Sequence, residues 1–542
     1  MKTQTASLWL LLAALLPQPA LGQIEVTKDF KFELGKPYTV IDAPTKSYFR
    51  TPDGVVAMKV DGDTYVVQKL SGETLTQVCM KETRDFPKGH ALDKMVVFNE
   101  RMLVFYSTWD KSSQTEELWV REVDLQSCGF SGPGRSILRV QGKLSGAMVN
   151  KGWYNISVVG KYSFVPSLDG ERMLITYRKK PEEKDDSKNK DVIGMVVFNK
   201  EMAEEWRSEL TMPYTEEKMD NLDTAVDSDG NGYILALVRE KDPKDMKRGE
   251  EMPSHIELLR FGAGASEFDI TPVDLGTMYV SDISLFEGKN DEMLCAGYYR
   301  KTRKATGAEG LFSFSVTKQG GIGHVNNIDI PLEVVNQYTS ERTQRKNAAK
   351  EADGDVGVGI PNLDMDMVVV NEDGSMVLIG ERYFSVYHSG TQNRIGYYSY
   401  HYEDLLVTSI AADGHLNWMK KLPKRQMTLV PPGGCSFSYF ESPSSMYLLF
   451  MDHIENLHAD PNKVPEVHVD GRGGFLTGYR VDPTDGSVTK TSILDTRDAK
   501  GMELFQVGIN RVVAVSDTEF LMEAYKKQKE DILVRVFLDT GK

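Results

Sequence analysis

Chemistry in this chain would have to come from a few short groupings of residues. Asp227-Ser228-Asp229-Gly230-Asn231-Gly232 sets oxygen-bearing side chains at alternate positions, as the first half of a calcium loop does. The twelfth position is Val238 where a bidentate Glu is needed, and Tyr233 to Val238 has the composition of a strand. The segment therefore reads as a tight hairpin turn, with calcium at Asp227, Asp229 and Asn231 as the alternative; no other cofactor is expected. His453, His458 and His468 with Asp452 form the densest histidine grouping. Their spacing is not the HExxH of a helical zinc site, so they read as a polar loop and no metal is assigned. Tyr383, Tyr387, His388, Tyr397, Tyr398, Tyr400, His401 and Tyr402 crowd into one insert. Such rings can stack on sugars or line a protein interface, although the alternation in YYSYHY equally suits a strand with one face packed down. The basic run Arg300 to Lys304 reads as a solvated hairpin tip.

Catalytic signatures are missing. The chain has no GxSxG elbow, P-loop, GxGxxG, CxxC or HExxH, and its lone Trp109-Asp110 does not make a WD repeat. Carboxylates brought together from distant segments remain an alternative, as in glycoside-cleaving enzymes. The candidates are Asp223, Asp282, Asp364 and Asp366, each near the start of a strand-like run. A net charge of -15 argues against a nucleic-acid partner, which needs a basic stripe to displace counterions.

The elements that must position these residues are strands. From residue 50 onward, short β-branched and aromatic runs alternate with Asp-Gly or Asn-Gly turns, the signal for antiparallel hairpins. Nothing reads as a long amphipathic helix. LDMDMVVVNEDGSMVLIGERYF followed by EDLLVTSIAADGHLNWMKKLP makes four strands with two tight turns, and the same order recurs along the chain. About eight such modules, of roughly 65 residues each, point to an all-β fold, a β-propeller with eight four-stranded blades or, in the alternative, seven. A pair of β-sandwiches would not explain one strand order returning so often. The last module stops after its third strand, so Phe30 to Leu34 is expected to complete it and close the ring.

Loop length carries the functional expectation. Connections between second and third strands are long and polar, as at 181–191, 241–253, 301–309, 385–403 and 454–472, whereas the other turns are short. All the long connections must emerge on one face of the ring, together with the blade-to-blade connections, and loops on a rigid scaffold are where binding resides. The expected function is a binding or interaction module using that face. The residues favoured for contact are Tyr387, Tyr398, Tyr402, His453 and His458; the alternative is a hydrolase or lyase acting on a saccharide through axial carboxylates.

Residues 1–22 read as a secretory signal peptide: Lys2, the apolar run Leu8 to Leu16, and a small-residue site at Ala20-Leu21-Gly22. Residues 23–542 then form a single exported domain, extracellular or periplasmic, with no membrane span and a monomeric state expected. Export permits disulfides, and Cys79 with Cys128 is the favoured pair, whereas Cys295 and Cys435 lie in apolar runs. Asn155 in Asn-Ile-Ser would be glycosylated only in a eukaryotic host. The partner is expected to be an extracellular protein or glycan.

Residues 364–482 resemble a group of uncharacterised secreted bacterial proteins thought to be propellers. The resemblance rests on Glu381, the Tyr-rich run before Glu403-Asp404, the Trp418 strand with Lys424-Arg425-Gln426, and Asp452 followed by Asn456. It implies the fold and export, and transfers no catalytic residue.

Overall fold

The structure, a computed structural model, describes the chain except residues 1–24, 151–155, 182–187, 242–245, 247–252, 290–291, 303, 355–356, 391–395, 459, 461–462 and 540–542, with backbone alone at 147–150 and 156–159. The signal segment and Asn155 therefore lie outside the described residues.

Alternating apolar runs joined by tight turns leave each chain segment little option but to pair with its neighbour. The result is an eight-bladed β-propeller. Counting from the chain start, blades 1 to 7 span 45–83, 91–141, 162–215, 219–273, 279–329, 363–422 and 438–495. Blade 8 takes three strands from 506–538 and its outermost strand from Phe30–Leu34, paired antiparallel with Glu530–Leu538. Ring closure by the N-terminal strand is thus as the sequence suggests. Val26–Thr27 adds a second stitch, pairing parallel with the outer strand of blade 7.

A single four-stranded sheet buries too little to stand alone, so the core lies between blades. Apolar clusters occupy all eight junctions. Phe30 is part of the cluster between blades 7 and 8, edge-on to Tyr447 and Phe520 with ring centroids 4.9 and 5.8 Å away. The junction between blades 8 and 1 is apolar only in part, with Val55, Leu70, Leu75, Leu521 and Leu533. It is completed by a buried ion cluster of Lys59, Glu523 and Asp531.

One connection differs from the sequence reading. Nothing in the sequence reads as a long amphipathic helix, yet the connection between blades 5 and 6 contains helices α1 (Leu332–Asn336) and α2 (Glu341–Asp353). α2 buries no residue and so shows no apolar stripe to read. It is fixed at its ends: the Ser340 hydroxyl accepts from the Thr343 amide, and Gly354 closes it at φ 68°. Cys79 and Cys128 are joined in a disulfide between blades 1 and 2, and Cys295 and Cys435 are free and buried. No helix among the described residues is long and apolar enough to cross a membrane.

Candidate functional site

Because strands alternate in direction, the long connections and the blade-to-blade connections share one face. Clefts of about 620, 450 and 340 Å³ open there, between blades 3 and 4, blades 4 and 5, and beside blade 6. The third is the smallest but gathers the most charge. Its walls come from the middle of the second and third strands of blade 6, the end of its fourth strand with the residues just after it, the α1–α2 corner and the 464–465 loop of blade 7.

Arg382 lies at the point where the blade-6 hairpin leaves the body of the sheet. Its Nη1 donates to Glu403 Oε2 at 2.9 Å and its Nε to the Pro361 carbonyl at 3.1 Å. Arg425 faces the other oxygen of Glu403 at 3.8 Å and donates to the Pro465 carbonyl. Lys421 is buried; its ammonium sits 3.3 Å from Asp404 and donates to the carbonyls of Val335 and Gln337. Burial pushes that ammonium below the usual lysine range, against the pull of Asp404. Lys424 is fully buried, ion-paired with Glu381 and donating to Gln426. Glu381 also accepts from the Ser436 hydroxyl at 2.7 Å. Four cations meet Glu403, Asp404 and Glu381, an excess of one positive charge on an acidic protein; Lys421 and Lys424 are buried in their pairs, so Arg382 and Arg425 are the two that reach solvent.

Above the cleft, the second and third strands of blade 6 run on as a hairpin, Met376–His388 with Tyr397–Ile410. The insert is therefore an extension of the sheet, as the alternation in YYSYHY allows. Its register places Tyr383 opposite Tyr402 and Tyr387 opposite Tyr398, with ring centroids 4.8 and 5.0 Å apart. Tyr387 and Tyr398 are 58% and 51% exposed, but Tyr402 is buried at 8%, so it packs where the sequence reading had it making contact. On the opposite face Phe384 stacks on His401 and His388 on Tyr397. The Ser399 hydroxyl bridges His388 and His401 at 2.8 and 2.9 Å. Exposed Leu429, Val430 and Val464 lie on neighbouring connections, so the face around blades 6 and 7 has more exposed large apolar side chains than any other described region.

His453 is half-buried and His458 exposed, at either end of a short 3₁₀ turn in blade 7. Among the described residues no hydrogen bond or ring contact joins them to the tyrosines. Asp452 instead pairs with buried Lys490 at 2.7 Å and accepts from Asn456 at 2.8 Å, a structural anchor for the loop. His468 is buried, which pushes its imidazole below the usual range. Asp227 accepts from the amides of Asp229 and Asn231, the Asn231 side chain and the Tyr233 hydroxyl, which is the tight-turn reading of that segment. No cluster suited to a metal occurs among the described residues.

The axial aspartates are separated by the structure into two roles. Register shifts interrupt the innermost strands of blades 2, 4, 5 and 6 near Asp93, Asp223, Asp282 and Asp366. Asp223 accepts from the Leu285 amide at 2.7 Å, and Asp282 from the Met365 amide at 2.6 Å, so each staples its blade to the next. Among the described residues Asp366 has no such partner. It is solvent-accessible yet ringed by protein, and burial followed by repulsion from Glu381 and Asp364 pushes its carboxyl up to about 7. Burial and the charge of Asp282 also raise Asp364. Asp93, which the sequence reading did not single out, is lifted to about 6 by burial.

A raised carboxyl costs folding free energy once it must ionise. Asp366→Asn should therefore match the wild type below pH 4 and become more stable as pH rises toward 7. The plateau should be about 1–2 kcal/mol after allowing for the solvent access of the group. Thermal melts at pH 4, 6 and 8 check this; an equal or lower melting temperature for the variant at pH 8 would show that the carboxylate is stabilised in place.

No known family profile matches the chain, and no curated protein is similar to it. Among solved structures, the chain is similar to the WD40 domain of SCAP from fission yeast, at 8% identity and TM-score 0.40, covering 94% of this chain and 95% of that one. It is also similar to an acylaminoacyl peptidase of Pyrococcus horikoshii, at 10% identity and TM-score 0.34, covering 92% of this chain and 58% of that chain. An alpha-L-arabinanase of Penicillium chrysogenum matches at 11% identity and TM-score 0.30, over 70% and 99% of the two chains. At this distance the similarities carry no functional argument, and the chain is described by its own geometry, an eight-bladed propeller with one basic cleft under an aromatic hairpin.

Proposed function

We propose that the protein is an exported binding module whose site is the face of blades 6 and 7, formed by the basic cleft and the hairpin above it. The observation that carries this reading is the coincidence of two features. Arg382, Lys421, Lys424 and Arg425 converge on a cleft of about 340 Å³ in a chain of net charge -15, and the largest group of exposed aromatic and aliphatic side chains lies beside them. Exposed apolar groups concentrated in one area mark interaction sites, and rigid tyrosines supply contact area at low entropic cost. Tyr387 and Tyr398 fit that role; Tyr402 supports the hairpin from beneath. The partner is an extracellular protein or glycan, in keeping with the signal-like first 22 residues and the disulfide.

The test is a combined glycan and peptide array probed with the mature chain. Tyr387→Ser with Tyr398→Ser should weaken binding roughly 10-fold or more while leaving the melting temperature within a few degrees, because both side chains are more than half exposed. Undiminished binding by the double variant removes the hairpin from the site.

A second reading has one observation in its favour. Asp366, held near neutrality beside Asp364 and Glu381, has the protonation behaviour of a general acid, so a saccharide-cleaving activity at the axis is the alternative. Release of reducing ends from a polysaccharide panel, lost in Asp366→Asn, would establish it.

A further inference from the structure

The second strand of blade 6 is longer than the strand that covers it. It runs from Met376 to His388, but the first strand of the blade pairs with it only as far as Arg382, opposite Leu363. The third strand follows it to the end, with His388 opposite Tyr397. Residues Tyr383 to His388 thus have a partner on one side and an open edge on the other. The Tyr383 amide still donates on the open side, to the Asn362 carbonyl at 2.9 Å. Backbone groups of a strand alternate in direction, so the N–H and C=O groups of Ser385 and Tyr387 face that same edge. Ser385, Val386 and Tyr387 are exposed, and among the described residues nothing bonds to the Ser385 or Tyr387 amides.

Proteins guard open edges with Lys, Pro, bulges or a covering element, since an unguarded edge templates another strand. The stretch Tyr-Phe-Ser-Val-Tyr-His has neither Lys nor Pro, and its composition is that of a strand. At its foot sits the basic cleft, where Arg382 and Arg425 flank Glu403.

We propose that this edge docks an extended peptide segment of a partner protein, which adds as a strand along Tyr383–His388 and sets an acidic group over Arg382 and Arg425. The proposal rests on the binding role given above and names its ligand class. Main-chain bonds to Ser385 and Tyr387 would supply affinity, and alternate side chains of the peptide would be read by the flanking rings. Charge decides against a second copy of this chain as the occupant. The edge Tyr383–His388 carries no Asp or Glu, so an antiparallel pairing of two such edges offers no acid to Arg382 or Arg425 of either copy.

The experiment uses the mature chain and an array of linear peptides of about ten residues, with and without Asp or Glu near one end, beside a glycan array. Extended, β-branched peptides carrying an acid are expected to bind. N-methylating alternate residues of such a peptide should weaken binding at least 10-fold, because it removes the donors that a strand addition needs. Ser385→Pro should do the same, since the amide it deletes faces the open edge and not the ladder of the hairpin; its melting temperature reports whether the hairpin survives. Arg425→Glu should weaken acid-bearing peptides and spare uncharged ones. Binding indifferent to N-methylation at every position, ligands found only among glycans, or dimerisation abolished by Ser385→Pro would each overturn the proposal. A ligand lost in the Tyr387 and Tyr398 double variant but indifferent to the edge leaves the binding role standing; a ligand indifferent to all these changes removes both.

Discussion

Lys59→Ala is expected to destabilise the protein by about 3–5 kcal/mol, the cost of leaving buried charge without its partner. Lys59 is fully buried in blade 1, with Glu523 of blade 8 at 2.8 Å and Asp531 at 3.6 Å. Tyr38 and Tyr48 donate to the two oxygens of Glu523 at 2.8 and 2.6 Å. Burial opposes ionisation of Glu523, but the ammonium of Lys59 and the two hydroxyls outweigh it and hold the carboxyl below the usual range. Asp531 is left without a hydrogen-bond donor, and burial with repulsion from Glu523 pushes it up to about 6. The two acids act in opposite directions. Stability contributed by Glu523 is present above pH 4.5 and is lost as pH falls further, whereas stability linked to protonated Asp531 is lost as pH rises from about 4 through 6. The junction should therefore be firmest near about pH 4 to 4.5, where Glu523 is still ionised and Asp531 is still protonated, and should weaken as pH rises toward 6. Asp531→Asn should be more stable than the wild type at pH 8 and equal to it below pH 4. Chemical denaturation of the three proteins across pH checks both statements; a loss under 1 kcal/mol for Lys59→Ala would mean that the closing junction rests on its apolar side chains alone.

The second large effect is at the other stitch of the ring. Phe30→Ala should cost about 3–5 kcal/mol, because the ring is 5% exposed in the cluster shared by blades 7 and 8 and its loss leaves a cavity among Phe440, Tyr447 and Phe520. Removing residues 23–36 goes further. It strips the outer strand from blade 8, exposes the edge of Glu530–Leu538 and deletes the parallel pairing of Val26–Thr27 with blade 7. The truncated chain is expected to melt well below Phe30→Ala and to associate through the bared edge. Differential scanning calorimetry with light scattering reads both; a truncated chain that melts with the wild type would mean the N-terminal strand is dispensable for closure.

The sequence by itself determined the ring. Asp-Gly turns set hairpins by local backbone preference, period-two alternation set which side chains face a neighbouring blade, and a last module short of one strand pointed to Phe30–Leu34 as its completion. The Cys79 and Cys128 pair was legible because a signal-like start permits disulfides and the other two cysteines lie in apolar runs. Glu381, Lys424, Gln426, Asp452 and Asn456 stood out as residue types, but only the tertiary structure decided that they are buried ion pairs and amide anchors. Burial depends on which blade packs on which, and that is not encoded within a strand. The same holds for the tyrosines. Alternation groups Tyr383 with Tyr387 and Tyr398 with Tyr402, but the hairpin register brings the two pairs onto one face, and the depth of the hairpin root made Tyr402 a packing residue and left Tyr387 and Tyr398 in solvent. Asp223, Asp282 and Asp366 look alike in sequence. The next blade offers an amide to the first two and, among the described residues, none to the third, so the first two are staples and the Asp366 carboxyl is pushed up to about 7. The open edge at Ser385 and Tyr387 likewise exists only because the first strand of blade 6 stops short of its neighbour, a difference in length that appears once the strands are laid side by side.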